Sequence, residues 1–338
     1  MDISSSPTDK KPKVTLLPIE AAKKLTPVDV TPVAQQLMAN VEKVIVGKHE
    51  QVVLATAVWL AEGHLLIEDV PGVAKTMLAR AMAQSAGCSF RRIQCTPDLQ
   101  PADVLGEPHL DPKTGRAEFN FGPLFSQFVL VDEINRASPR TQAALLEAMG
   151  EAMVTEGNVS YRLQKPFMVV ATQNPIEQEG TFLLPEAQKD RFLMRMQLGY
   201  PSFADEKQMI ERFQLRHPID TLQPVTTPDR ILKSQEAVRD VKVASAVNDY
   251  ILKIIRGTRE HPALLLGASP RGSLGLFRVA QAMAAMKGKD FVPAELVKSL
   301  APKVLAHRLI VRREEKFRGT RVEEVVAEIL AKTPLPPS

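Results

Sequence analysis

A chain of 338 residues, 44% apolar and 24% charged, has enough material for two separately cored domains and an ordinary globular composition, which indicates neither disorder nor a membrane class. The net charge of +4 is small for this length and its basic residues are dispersed, so composition argues against nucleic acid as the main partner. Cys88 and Cys95 are the only cysteines and do not form a zinc cluster, and neither a signal-peptide core nor a membrane-length apolar run is present; the reading is a cytoplasmic protein without membrane insertion.

Residues 1–30 are rich in Pro, Lys, Thr and Ser and read as a flexible N-terminal arm. One helix is predicted from Pro32 to Val44 and a second from Glu50 to Ala61, where Val52, Val53, Ala55, Ala57, Val58 and Leu60 supply an apolar face. Residues 64–200 then alternate, with strands at 64–68, 89–94, 127–132, 167–172 and 193–198 and helices at 75–86 and 139–151, completing a core domain over 31–200. Phe128-Val129-Leu130-Val131 and Phe167-Met168-Val169-Val170 are apolar without alternation, as strands buried on both faces of a parallel sheet are. Ser138 before Pro139 marks a capped helix start. The pattern predicts an α/β fold, a parallel five-stranded sheet between helical layers. After Pro201 the strand signal stops, and helical patterns near 203–216, 228–237, 243–259, 270–287, 293–308 and 322–332 predict a smaller all-α domain over 201–338.

Five motifs sit at the ends of these elements. Strand 64–68 runs into Pro71, Gly72, Val73 and Ala74, and Lys75-Thr76 opens a helix. A triphosphate needs converging backbone N–H groups, a helix N-terminus, a Lys for the outer phosphates and a hydroxyl for Mg²⁺, which Lys75 and Thr76 supply. Asp69 and Ala74 stand where the strict phosphate-loop pattern has glycine. Asp132-Glu133 ends an apolar strand, the edge at which open parallel sheets bind ligands; Asp132 can hold the hydration shell of Mg²⁺ and Glu133 can polarise the attacking water. Asn174 follows the next strand and can orient that water. Arg191, near the start of the last strand, suits an arginine offered to a neighbouring subunit. Arg271 opens a helix of the second domain after Ser269-Pro270. Each motif alone also has a plain structural reading: a turn with an exposed Lys, a solvated acidic turn, an Asn-Pro turn, an Asp-Arg surface pair and a capped helix with a solvated Arg.

Taken together, residues 32–335 resemble the AAA+ ATPases, and among them the MoxR family. The resemblance rests on the order of Ile45-Val-Gly47, Glu68-Asp-Val-Pro-Gly-Val-Ala-Lys-Thr76, Asp132-Glu-Ile-Asn-Arg-Ala137, Thr141-Gln-Ala-Ala-Leu-Leu-Glu-Ala-Met149, Ala171-Thr-Gln-Asn-Pro175, Leu184-Pro-Glu-Ala-Gln188, Asp190-Arg-Phe192 and Ser269-Pro-Arg271. It implies an αβα core, a helical lid with ATP bound between the two, and a ring, usually a hexamer, in which Arg191 serves the neighbour's site. It implies nucleotide contacts from Val46, Gly47, Pro71, Gly72, Val73, Ala74, Lys75, Thr76, Met77 and Asp132, with Val46-Gly47 near the adenine and Mg²⁺ at Thr76 and Asp132. Glu133, Asn174, Arg191 and Arg271 would be catalytic, Asn174 as sensor one and Arg271 as sensor two. If the backbone at Ala74 needs positive φ, the alanine adds strain.

Two insertions fit that subgroup: a hairpin over 110–119 turning at Gly115, and one within 152–166 turning at Gly157-Asn158. Phe119 and Phe121 are client contacts or pack under the insert. The implied activity is Mg-dependent ATP hydrolysis that remodels or activates a client protein, with a von Willebrand factor A domain partner on a separate chain. The rival readings are a nucleotide-gated scaffold with little turnover, on the strength of Ala74, and a nucleic-acid-associated motor.

Overall fold

The computed structural model describes residues 24–336 apart from 111, 114, 116, 157–158, 176–179 and 214–216. Residues 1–23 of the predicted arm, the Gly157-Asn158 turn and the last residues of the predicted 203–216 helix lie outside the described residues. Two helices come first, α1 (Val30–Val41) and α2 (His49–Leu60). The core continues as β1 (Leu65–Glu68), α3 (Lys75–Ser85), β2 (Phe90–Gln94), α4 (Pro101–Leu105), the hairpin β3 (Gly106–Leu110) and β4 (Ala117–Phe121), and β5 (Phe128–Asp132). Then come α5 (Pro139–Glu151), the hairpin β6 (Met153–Glu156) and β7 (Val159–Arg162), β8 (Met168–Gln173), α6 (Glu186–Lys189) and β9 (Met194–Met196). The remainder is α7 (Phe203–Phe213), α8 (Pro218–Thr221), α9 (Pro228–Arg239), α10 (Ser245–Glu260), β10 (Leu264–Leu266), α11 (Pro270–Met286), α12 (Ala294–Leu305), β11 (Ile310–Val311), α13 (Arg313–Phe317) and α14 (Val322–Lys332).

The five core strands form one parallel sheet in the order β2-β5-β8-β1-β9. Side chains alternate across it. Leu66, Val129, Val131, Val169 and Ala171 face α5, where Leu145, Leu146 and Met149 close one buried cluster. Leu65, Ile67, Phe128, Leu130 and Val170 face the other way into a larger cluster with α2, α3 and α11. The uninterrupted apolar runs are thus explained by burial on both faces. Helix α2 is enclosed on most of its circumference, and Trp59 meets Phe128 edge-on at 5.2 Å. At α5 the Ser138 hydroxyl accepts the Thr141 N–H and Pro139 takes the first turn, as the sequence predicts.

The second domain is helical, but β10 and β11 pair antiparallel inside it. Strands of three and two residues are too short to carry a readable period, so the sequence gives no sign of them. The domain packs against α1, α2 and β9 through α11 and α12. Ala280, Ala282, Ala284 and Ala285 on α11 are fully buried, and their small side chains allow this close seat. The two insert hairpins touch through aromatics: Phe119 stacks on Tyr161 at 4.4 Å, with Phe121 and Phe125 edge-on to the cluster. Phe119 is half-buried there, whereas Phe121 remains 57% exposed.

Candidate active site

The turn between β1 and α3 is held at both ends. The Asp69 carboxylate accepts the N–H groups of Val70 at 2.9 Å and of Leu198 and Gly199 at 2.6 Å each, pinning the start of the loop to the chain leaving β9. An aspartate therefore has a structural role where the strict pattern has glycine. Gly72 and Ala74 both take positive φ, +84° and +63°. The left-handed conformation costs an L-residue about 1–2 kcal/mol, so the strain anticipated at Ala74 is present. Helix α3 starts at Lys75 with no side-chain cap, leaving its first N–H groups to an anion. The Lys75 ammonium donates to the Asp69 carbonyl at 2.8 Å.

The sheet order puts the tips of β5 and β8 beside this loop. A cleft of about 340 Å³ is lined by Pro71, Gly72, Ala74, Lys75, Thr76, Met77, Arg92, Asp132, Glu133 and Asn174. Asp132 is buried, its Oδ1 accepting the Thr172 hydroxyl at 2.6 Å and its Oδ2 accepting Arg92 Nε at 3.1 Å and Nη2 at 2.6 Å. Glu133 sits at φ +57°, a second left-handed non-glycine; its N–H donates to Thr172 Oγ1 at 2.9 Å. Its carboxylate accepts Gln94 and Arg136, each at 3.1 Å. Asn174 is buried at the same rim. Among the described residues no three His, Cys, Asp or Glu side chains gather into a metal cage. One hydroxyl, Thr76, and one carboxylate, Asp132, are a donor set that fits magnesium when phosphates and water complete its octahedron.

Other predicted residues lie elsewhere. Val73 is buried under the loop, and Val46 is buried in the core. Gly47, at φ +69°, lies under the Asp205 carboxylate, where a Cβ would approach Cγ to 2.1 Å. Arg191 and Arg271 share a second cleft of about 290 Å³ with Glu62, His64, Gly150, Asp190, Arg278 and Arg308. His64 precedes β1 while the phosphate loop follows it, so about 13 Å of strand separates the clefts along the sheet. The phosphate cleft is lined by core residues alone, so the helical domain does not bracket it as the resemblance implies; α11 is seated on α1 and α2 instead.

Comparison with known proteins places the chain. Residues 64–194 match the family model for the ATPase family associated with various cellular activities, and residues 256–329 match the AAA lid domain. An uncharacterized Bacillus subtilis protein, YeaC, is 45% identical over 91% of this chain and 96% of its own. Chaperone MoxR1 of Mycobacterium tuberculosis is 38% identical over 89% of this chain and 82% of its own. The chain belongs to the MoxR family of AAA+ ATPases. A solved Cytophaga hutchinsonii structure, provisionally assigned as an ATPase, superposes on this MoxR-family chain with TM-score 0.86, at 35% identity over 92% of this chain and 97% of that one.

Four residues that shape the MoxR-family cleft were given no role in the sequence reading, and two of them, Arg92 and Gln94, lie in no motif. Arg92 and Gln94 come from β2, which pairs with β5 in a register that sets Gln94 opposite Asp132. Thr172 and Arg136 complete the contacts to Asp132 and Glu133. Thr172 and Arg136 had a positional clue, each lying inside a quoted motif beside Asn174 or Glu133.

Proposed function

We propose that this MoxR-family ATPase hydrolyses Mg-ATP to remodel or activate a client protein. The observation that carries the reading is the convergence of Lys75, Thr76, Asp132, Glu133 and Asn174 on one cleft. Lys75 and the N–H groups opening α3 bind the phosphates, and Asn174 and Glu133 orient and polarise the attacking water. Mg²⁺, held by Thr76 and through water by Asp132, supplies charge neutralisation at the outer phosphates when bound. Ala74 takes the turn a glycine would take, at a cost of about 1–2 kcal/mol, which does not favour a scaffold without turnover.

The reading extends to a ring, a hexamer in the expected form. Arg191 lies across the sheet from its own phosphate cleft and is offered to a neighbour's, with Arg271 beside it. The name of the Mycobacterium tuberculosis relative, a chaperone, supports a protein client. A von Willebrand factor A domain protein on a separate chain is the partner to look for. Among the described residues no helix is long and apolar enough to cross a membrane.

The test is phosphate release by the purified protein with ATP, with and without Mg²⁺. Glu133→Gln is expected to lower turnover by at least about 100-fold while keeping nucleotide binding. Equal background rates in both proteins would remove the hydrolysis reading. Stimulation by DNA or RNA would point to a motor instead. Capture of a discrete partner by the Glu133→Gln protein from its own cell extract identifies the client.

A further inference from the structure

The loop, the acidic tip and the polar Asn account for all of the phosphate cleft except one cation. Arg92 lies on β2, an edge strand of the sheet, paired with Leu130 in the middle of β5 and two residues short of the strand tip. Its side chain nevertheless runs forward along the strand to the rim, where Nε and Nη2 lie 3.1 and 2.6 Å from Asp132 Oδ2. An edge-strand arginine with no assignment would be expected to extend into solvent. Here the guanidinium is half-exposed and the carboxylate it grips is 11% exposed, so the contact is directed into the cleft.

Asp132 has two oxygens, and each has a claim on it. Oδ1 takes the Thr172 hydroxyl at 2.6 Å, a contact that also fixes the Glu133 N–H through the same hydroxyl. Oδ2 faces the cleft and takes Arg92. The hydration shell of a magnesium ion seated between Thr76 and Asp132 has to approach the same carboxylate. A guanidinium on that oxygen both occupies its lone pairs and repels a dication a few ångströms away in a partly water-excluded site. Arg92 Nη2 also donates to Gln94 Oε1, and Gln94 in turn donates to Glu133. The arginine therefore links the group that holds the metal shell with the group that holds the water.

We propose that Arg92 competes with the hydrated divalent cation for Asp132 and so sets the magnesium concentration at which the cleft takes up its nucleotide. The proposal rests on the Mg-nucleotide reading of this cleft. Arg92 is a positioning residue: it acts through Asp132 and Gln94.

The test is a magnesium titration of the full chain with a fluorescent, non-hydrolysable ATP analogue, read as nucleotide affinity and without turnover. The quantity compared is the midpoint in magnesium, because losing a positive charge weakens binding of the bare nucleotide as well. Arg92→Gln is expected to lower that midpoint by about fivefold or more, the scale of coupling between two groups sharing one site. Arg92→Lys, which keeps the charge, is expected to leave it near the wild-type value. An unchanged or raised midpoint in folded Arg92→Gln overturns the proposal. If Arg92→Gln fails to fold, Arg92→Met replaces it; failure of both to fold makes the residue structural and also overturns the proposal. Wild-type protein that binds no nucleotide at any magnesium concentration sinks the nucleotide reading itself, a result separate from a normal wild-type titration that the variants do not shift.

Discussion

Arg308 is the most heavily bonded side chain between the helical domain and the core, and its removal is worth working through. It is 5% exposed. Its Nε meets Asp190 Oδ1 at 2.8 Å, and Nη2 donates to the carbonyls of Phe192 at 2.7 Å and Asp190 at 3.3 Å. Nη1 donates to the Leu193 carbonyl at 3.1 Å and to that of Val304. Burial pushes the guanidinium pKa down while Asp190 holds it up. In Arg308→Met the stem volume is kept, but Asp190 and the bonded carbonyls lose their donor. Breaking a buried pair by removing one partner costs about 3–5 kcal/mol. Asp190 keeps the Ser269 hydroxyl at 2.8 Å and is 16% exposed, which places the cost at the lower end. With an unfolding entropy near 2.1 cal/mol/K per residue, a loss of about 3 kcal/mol lowers Tm by roughly 4 °C in a chain of this size unfolding as one unit. Urea unfolding followed by circular dichroism measures the loss, and Asp190→Asn with the double variant completes a cycle in which coupling of about 2 kcal/mol is expected. A cost below about 1 kcal/mol for Arg308→Met, or additive single variants, would refute the view that this pair seats the domain and steadies the adjacent Arg191.

Burial lowers the His64 pKa to about 4, against an ordinary 6.5. The folded state thus binds fewer protons than the unfolded state between those values, so this stability is complete above pH 6.5 and falls by about 3 kcal/mol as pH drops toward 4. His64 Nδ1 accepts the Val169 N–H at 3.0 Å and Nε2–H donates to the Met149 carbonyl at 3.2 Å. His64→Gln can offer both functions, and should flatten the acid limb of a stability-against-pH curve; an unchanged slope counts against the assignment. A Cβ at Gly150 would come within 2.1 Å of Arg191 Nη1, so Gly150→Ala should push the guanidinium off the Leu146 carbonyl while the α5 helix gains roughly 0.5–1 kcal/mol. Turnover should fall without loss of stability, and a variant with normal turnover would detach Arg191 from hydrolysis. Arg191→Ala mixed with a Lys75→Ala subunit should recover part of the activity when sites are shared between neighbours, and no recovery would argue against the ring assignment. Tyr161→Ala should speed amide exchange in the 106–121 and 153–162 hairpins together, since Phe119 stacks on Tyr161; loosening confined to the second hairpin would show that the stack does not tie them.

What the sequence revealed and what it hid follow one physical line. Strands β1, β5 and β8 are nearly dry on both faces, so their composition alone marks them and places Asp132 and Asn174 at the ends of β5 and β8 and Lys75 beyond the loop that follows β1. Each of these residues can be read from its own segment. Arg92 cannot, because its partner depends on which strand lies beside β2, and lateral order is set by helix packing dozens of residues away. The placement of Arg271 was hidden for a similar reason. The start of α11 is legible, with the Ser269 hydroxyl capping the Arg271 N–H at 3.1 Å, but where the helix docks is decided by an alanine face meeting α1 and α2.

The parallel sheet then gives the two clefts different electrostatic characters. Its C-terminal rim gathers a helix N-terminus, Lys75 and Arg92 against Asp132 and Glu133, a balance suited to a metal-bound polyanion. The opposite rim gathers Arg191, Arg271, Arg278 and Arg308 around Asp190 and Glu62. Asp190 is committed to Arg308 and Glu62 to Arg239, so the exposed arginines of this rim form an anion-seeking surface. Among the described residues four non-glycines are left-handed: Ala74 and Glu133 at the first rim, Glu62 in the second cleft and Ala152 just past α5. Such residues cost about 1–3 kcal/mol each and persist only where their surroundings over-determine them. Glu133 meets that condition through Thr172, Gln94 and Arg136, and Ala74 through the anchored Asp69 on one side and α3 on the other. The arginine cleft has its own left-handed residue, Glu62 at φ +55°, held there by Arg239, so backbone strain is stored at both ends of the sheet.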